Sequence, residues 1–109
     1  MTTITISAPK SQSALGKKSF DDILLDGIGE GYAIGKQLRS RIKTGDTVVV
    51  ICKSDSKVRC AKGKLKKISE NGNATRNGIL RHDLEIQGLK ECSQCEGSIN
   101  RHGVSVVQD

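Results

Sequence analysis

Positively charged side chains concentrate in one short part of the chain, and clustered cations of this kind suit a phosphate backbone. Seven Lys and Arg lie between residues 53 and 67. Strand alternation about a single bulge near Gly63 predicts that five of them share one face. Three more lie on a predicted helix just before this segment. The predicted nucleic-acid-binding residues are Lys57, Arg59, Lys62, Lys64, Lys66, Arg39, Arg41 and Lys43. The same lysines are equally compatible with a solvated edge strand that resists pairing with other chains.

Two of the four cysteines have the spacing of a zinc knuckle. Cys92 and Cys95 are separated by two residues, which allows two thiolates to reach one tetrahedral zinc ion. A single C-x-x-C motif is also compatible with a plain exposed turn. We therefore expect no cofactor, and zinc held by Cys92 and Cys95 is the alternative. Further zinc ligands would have to come from Cys52, Cys60, His82 and His102.

No arrangement of side chains in the sequence resembles a catalytic site. Asp21, Asp22 and Asp26 flank a short apolar run, but no histidine or nucleophile is in register with them. His82 and Asp83 are neighbours on a predicted strand, so their side chains point to opposite faces. We therefore predict that the protein is not an enzyme.

A glycine-rich stretch, GIGEGYAIGK, occupies residues 27–36 ahead of the predicted helix. In a phosphate-binding loop of the Walker type, Gly-Lys is followed by Ser or Thr, whereas Gln37 follows here. Glu30 stands where that motif requires its first glycine. The pattern therefore predicts a flexible loop rather than a nucleotide site.

The composition limits the class of protein and the class of partner. A chain of 109 residues is predicted to form a single domain, residues 1–109. Eighteen Lys and Arg against twelve Asp and Glu leave a net charge of +6, which favours polyanionic partners. Phe20 and Tyr32 are the only aromatic residues, too few to build a stacking platform for single-stranded bases. The sequence has no membrane-length apolar run and no signal-peptide pattern, so we predict a cytoplasmic protein without membrane contact or a disulfide framework.

Hydrophobic periodicity predicts a mainly β chain with one main helix. Strands are predicted at residues 3–8, at 47–52, from 58 through the bulge near Gly63, at 82–89 and at 103–107. The helix is predicted near residues 32–43, where Ile34, Leu38 and Ile42 recur every four residues. Residues 20–25 fit either a helical turn or a strand. The polar segments 10–18 and 69–78 are predicted to be mobile loops.

A helix, the dipeptide Gly45-Asp46, an apolar strand, a short turn and a strand carrying Ala61-x-Gly63 follow one another between residues 32 and 68. This order resembles the core of PUA-like domains of the ASCH and EVE kind, over about a third of the chain. The resemblance implies a pseudo-barrel that binds RNA or modified nucleic acid in a cleft beside the helix. The predicted fold class is mainly β (α+β), a small PUA-like or SH3-like β-barrel with one main helix.

These observations together predict a non-enzymatic nucleic-acid-binding module that uses a basic hairpin face, with RNA favoured over DNA. The predicted partner is the RNA or DNA backbone. The alternative is a small protein-interaction or inhibitor protein, of the kind encoded by phages and mobile elements, that docks the same face on an acidic partner.

Overall fold

A computed structural model describes residues 2–8, 19–54, 57–92 and 104–108 of the chain. These residues form six strands and two short helices. In chain order the elements are β1 (Thr2–Ser7), α1 (Phe20–Asp26), β2 (Ile28–Ala33), α2 (Lys36–Arg41), β3 (Thr47–Ser54), β4 (Lys57–Ala74), β5 (Leu80–Cys92) and β6 (Val104–Gln108). The prediction of a mainly β fold with α+β content is confirmed.

All six strands belong to one sheet, in the order β2-β5-β4-β3-β1-β6. β1 and β3 run parallel, and the other neighbouring pairs are antiparallel. The apolar run of β3 lies near the middle of this sheet, where Val48, Val50 and Ile51 are almost completely buried. A strand covered on both faces is expected to read as a continuous β-branched run, as β3 does.

The sheet curls so that β2, at one edge, comes over β1 near the other edge. The Tyr32 hydroxyl donates a hydrogen bond to the carbonyl oxygen of Ser7 at 3.1 Å. Gly29 lies so close to β1 that a Cβ atom there would be 3.2 Å from the Ile6 side chain. Within the described ranges no ladder joins β2 to β1 or to β6, so β2 contacts β1 through side chains. The sheet thereby curls around part of its core.

The segment that fitted either a helical turn or a strand is helix α1. The Ser19 hydroxyl caps its first turn by accepting a hydrogen bond from the Asp22 N–H at 3.2 Å. Gly27 ends it in the left-handed conformation, with φ of 72°. Phe20 and Ile23 are the buried residues of this helix, so α1 covers part of the core.

The glycine-rich stretch differs from the prediction, because most of it forms the edge strand β2. β2 pairs with β5, and the register shifts between Gly29 and Tyr32. At this irregularity the Gly31 N–H donates to Asp83 Oδ1 at 3.0 Å, and Arg81 donates to the Gly31 carbonyl at 2.7 Å. Glycines carry no side chain to alternate, so this strand has no periodic signal in the sequence.

Helix α2 is shorter than predicted. It has six residues, and the apolar residues Ile34 and Ile42 of the predicted helix stand just outside its two ends. Both are buried, and Leu38 is packed partly against the core. The four-residue apolar spacing was therefore a correct signal for a core-facing segment, but only its middle part is helical.

β4 also differs from the prediction, in its bulge and in its length. The β3–β4 register is unbroken from the pair Thr47–Lys64 to the pair Ser54–Lys57. The irregularity near Gly63 is in the β4–β5 ladder, where Lys62 pairs with Lys90 and Lys64 with Gln87, so the extra residue belongs to β5. β4 continues to residue 74, so only residues 75–78 of the loop predicted at 69–78 lie outside the strands. The other predicted loop, 10–18, lies outside the described residues.

The cysteines differ from the expectation of reduced thiols. Cys60 is disulfide-bonded, whereas Cys92 is a free thiol. None of the helices in the described part of the chain is both long and apolar enough to cross a membrane. The cytoplasmic location remains a prediction.

Candidate nucleic-acid interface

The two central lysines of β4 point away from the core. Because side chains alternate along a strand, Lys62 and Lys64 share the face opposite to that of Ala61 and Leu65. Ala61 and Leu65 are buried, at 0% and 2% exposure, and both lysines are exposed. Two residues along a strand span roughly 6.6 Å, so their Cα atoms are close neighbours on this face.

A third lysine joins them from β5. Lys90 is the direct cross-strand partner of Lys62, and it too is exposed. We call Lys62, Lys64 and Lys90 the lysine face. The remaining direct partners of Lys62 and Lys64 are uncharged: Val49 for Lys62, and Thr47 and Gln87 for Lys64. No carboxylate therefore stands directly opposite Lys62 or Lys64 in the sheet.

The lysine face is partly anchored. Lys64 donates from Nζ to Thr47 Oγ1 at 3.0 Å, and Thr47 is only 5% exposed. Lys66, two residues after Lys64 on β4, is also exposed. It lies at a second register shift of the β4–β5 ladder, between Leu65 and Lys67. Lys67 stands opposite Glu85. The cationic surface thus weakens from Lys64 toward the far end of β4.

Arg59 does not belong to the lysine face, which corrects the prediction. Because the β3–β4 register is unbroken, the side chains of Arg59 and Lys62 point to opposite faces of the sheet. Arg59 contacts helix α1 on the face opposite to the lysine face. Its guanidinium donates to Glu91 at 3.0 and 2.9 Å and to Asp21 at 3.0 Å, and it lies 4.8 Å from the centre of the Phe20 ring. The hydrogen bonds to Glu91, and to a smaller extent the one to Asp21, raise the pKa of Arg59. The hydrogen bonds from Arg59 also lower the pKa of Glu91. Arg59 therefore ties β4, β5 and α1 together, and its charge is already matched by carboxylates.

The end of helix α2 reaches the edge of the lysine face. Gly45 donates its N–H to the Leu65 carbonyl at 2.7 Å, and the Leu65 N–H donates to the Asp46 carbonyl at 2.8 Å. These bonds hold the turn after α2 against β4, beside Lys64. Arg41 and Lys43, both exposed, precede that turn in the chain.

Two other predicted residues are placed differently. Arg39 is half-buried and donates to the Ile42 carbonyl at 3.3 Å, and it lines a cavity on the other side of α2. Lys57 opens β4 by pairing with Ser54, and its side chain is outside the described part of the structure. Lys90 was missed because the extra residue near Gly88 shifts the alternation of β5, and no local pattern reveals its pairing with Lys62.

The zinc prediction is not tested by this geometry. Cys92 ends β5, half-buried, with its thiol 3.7 Å from the Lys90 carbonyl oxygen. Cys95 lies outside the described residues. Among the described residues, no group of three or more His, Cys, Asp or Glu is placed to hold a metal ion.

Comparisons with protein-family models, with curated proteins and with solved structures found no match. The resemblance of residues 32–68 to PUA-like domains therefore remains an expectation from the sequence.

Proposed function

We propose that the protein is a non-enzymatic nucleic-acid-binding module whose lysine face contacts the phosphate backbone. The observation that carries the proposal is the direct opposition of Lys62 and Lys90 across β4 and β5. Like charges at directly opposite strand positions destabilise a sheet. A phosphate group between two such lysines removes that repulsion, and each lysine that neutralises a phosphate releases a condensed counterion.

The available side chains favour contact with the backbone over contact with bases. Phe20 and Tyr32 are both 1% exposed, so neither ring can stack on a base. Lysine is a point charge that positions a backbone without reading sequence. We therefore expect weak sequence preference and good binding of double-stranded ligands. The resemblance to PUA-like domains is what favours RNA over DNA.

Salt dependence tests this proposal. We would measure binding of a short fluorescent RNA duplex, and of a DNA duplex of the same sequence, over a series of NaCl concentrations. Lys62→Gln, Lys90→Gln and the double variant remove charge without altering strand pairing. Each substitution should lower affinity for both duplexes and reduce the slope of log affinity against log salt by about one.

The matched control is Arg76→Gln, which removes one exposed positive charge in the turn at the far end of the β4–β5 hairpin. It should leave the salt slope nearly unchanged. If Arg76→Gln weakens binding as much as Lys62→Gln does, net charge rather than the lysine face is responsible. If the parent protein binds neither duplex at low salt, the nucleic-acid proposal is wrong, and the alternative of an acidic protein partner replaces it.

A further inference from the structure

A cavity of about 520 Å³ lies between helix α2 and the turn end of the β4–β5 hairpin. This volume is within the roughly 300–1,000 Å³ that is usual for small-molecule sites. Ile34, Ile79 and Leu80 supply its apolar lining. Ile79 and Leu80 are 39% and 41% exposed, so two large apolar side chains at this cavity are not covered by the fold itself.

His82 gives the cavity a buried polar group without a partner. The side chain lines the cavity and is 3% exposed, yet its Nδ1 atom has no hydrogen-bond partner among the described residues. Its cross-strand neighbours are Tyr32 and Glu70. The Tyr32 hydroxyl donates its hydrogen bond to the Ser7 carbonyl oxygen, and Glu70 is exposed. Since buried polar side chains are nearly always hydrogen-bonded, this nitrogen has a hydrogen-bonding capacity that the described residues do not use.

The charges around the cavity favour an anion. Lys36 and Arg39 both line it from α2, and residues three apart on a helix share a face. Ser40, one turn after Lys36, adds a hydroxyl to the same wall. Glu70 is the one carboxylate among the described residues that line the cavity. Two cations against one carboxylate leave a net positive wall along α2.

We propose that this cavity binds a small organic anion. Its apolar body packs against Ile34, Ile79 and Leu80, and its carboxylate or phosphate group pairs with Lys36 and Arg39. One polar atom of the ligand hydrogen-bonds Nδ1 of His82, which can donate or accept according to the tautomer. This site is separate from the lysine face and does not depend on nucleic-acid binding.

Binding of a matched pair of probes tests the proposal. Cinnamate and cinnamamide have the same apolar body, but only cinnamate is charged. Each would be titrated into ¹⁵N-labelled protein while amide and His82 ring resonances are followed by NMR. Cinnamate should give saturable shifts at the cavity-lining residues and at His82. Because charge-assisted hydrogen bonds are stronger than neutral ones, cinnamamide should bind at least about tenfold more weakly. Phenyl phosphate, as a third probe, shows whether the site prefers a phosphate or a carboxylate.

Variants distinguish the parts of the site. Lys36→Gln with Arg39→Gln should abolish the preference for cinnamate over cinnamamide, since these two side chains carry the positive charge of the cavity wall. His82→Phe keeps a ring in place but removes the nitrogen, so it should weaken both probes. If His82→Phe fails to fold, the Lys36/Arg39 variant still decides the matter.

The Lys62→Gln/Lys90→Gln variant is the control and should bind cinnamate like the parent, whether or not the lysine face binds nucleic acid. The proposal is overturned if cinnamate gives no saturable shift at the cavity. It is also overturned if cinnamamide binds equally well, or if the lysine-face variant loses binding while the Lys36/Arg39 variant keeps it.

Discussion

Tyr32 connects the edge strand β2 to β1, and its burial makes the fold sensitive to high pH. Loss of hydration raises the pKa of its hydroxyl above the ordinary value of 10.0. In the unfolded chain the hydroxyl ionises near pH 10, whereas in the folded protein it stays neutral. Since the folded-state pKa is the higher one, the stabilisation is complete below pH 10 and is lost as pH rises further.

Because Tyr32 is the only tyrosine of the chain, tyrosinate absorbance reports on this residue alone. In an alkaline titration the absorbance should rise together with the loss of β circular dichroism, and not before it. Tyr32→Phe removes the hydrogen bond to Ser7 and should lower the free energy of unfolding by about 1 kcal/mol at neutral pH. That variant should also lose stability less steeply above pH 10 than the parent does. A tyrosinate signal that develops near pH 10 while the fold stays intact would contradict the burial of this side chain.

Single residues were predictable from the sequence where neighbours along the strand determine their position. Lys62 and Lys64 alternate with Ala61 and Leu65, so their outward direction follows from the local pattern. Arg59 was assigned to the wrong face because the extra residue was predicted in β4, whereas it lies in β5. Its contacts with Glu91 and Asp21 depend on residues 32 and 38 positions away, which no local pattern records.

At the scale of elements, the sequence indicated the strands with apolar alternation or β-branched runs. β1, β3, β5 and β6 were predicted within a few residues of their observed bounds. β2 was missed because glycines interrupt its alternation. The last part of β4 was missed because residues 69–74 are mostly exposed polar side chains. Both are held by pairing with β5, so their partner is distant in sequence and their own side chains give no signal.

Gly63 lies where β5 packs tightly against β4, and it provides a test of that packing. A Cβ atom there would lie 2.6 Å from the Ile86 side chain, 2.9 Å from the Gln87 carbonyl oxygen and 3.1 Å from the Leu89 Cα. Two of these contacts are with backbone, which cannot move without disturbing the ladder. Gly63→Ala should therefore lower the free energy of unfolding by about 1–3 kcal/mol, as overpacking does. Urea unfolding monitored by circular dichroism measures the change.

Gly35→Ala is the matched control for this substitution. Gly35 has φ of −68°, which any residue adopts, and no atom of the described residues lies within 4 Å of a Cβ placed there. Its unfolding free energy should stay close to that of the parent. If Gly63→Ala is as well tolerated as Gly35→Ala, the close approach of β4 and β5 at this point is not real.

At the scale of the whole molecule, the disulfide at Cys60 differs from the reduced thiols that the composition predicted. The absence of a signal-peptide pattern favoured a reducing compartment and therefore free thiols. Cys60 is nevertheless disulfide-bonded, while Cys92 keeps a free thiol. Cysteine spacing alone could not show this, because a disulfide requires closeness in the folded chain rather than in the sequence.

The distribution of charge gives the whole molecule opposite responses to salt in folding and in binding. The chain carries a net charge of +6, and Lys62 and Lys90 stand directly opposite each other. Raising the salt concentration from 0.01 M to 0.15 M shortens the screening length from about 30 Å to about 8 Å and weakens this repulsion. The midpoint temperature of unfolding should therefore rise with NaCl over this range, while duplex affinity falls.

The Lys62→Gln/Lys90→Gln variant separates the local repulsion from the effect of net charge. At low salt it should be more stable than the parent by a few tenths of a kcal/mol to about 1 kcal/mol, the usual scale of cross-strand pairs. It should also gain less from added salt. Arg76→Gln, which lowers net charge without touching the lysine face, should keep most of the salt response of the parent. Thermal melts of all three proteins across the same NaCl series provide the comparison.

A parent protein whose midpoint does not rise with salt would show that the opposed lysines carry no repulsion, and the main support for an anionic partner at this face would be lost.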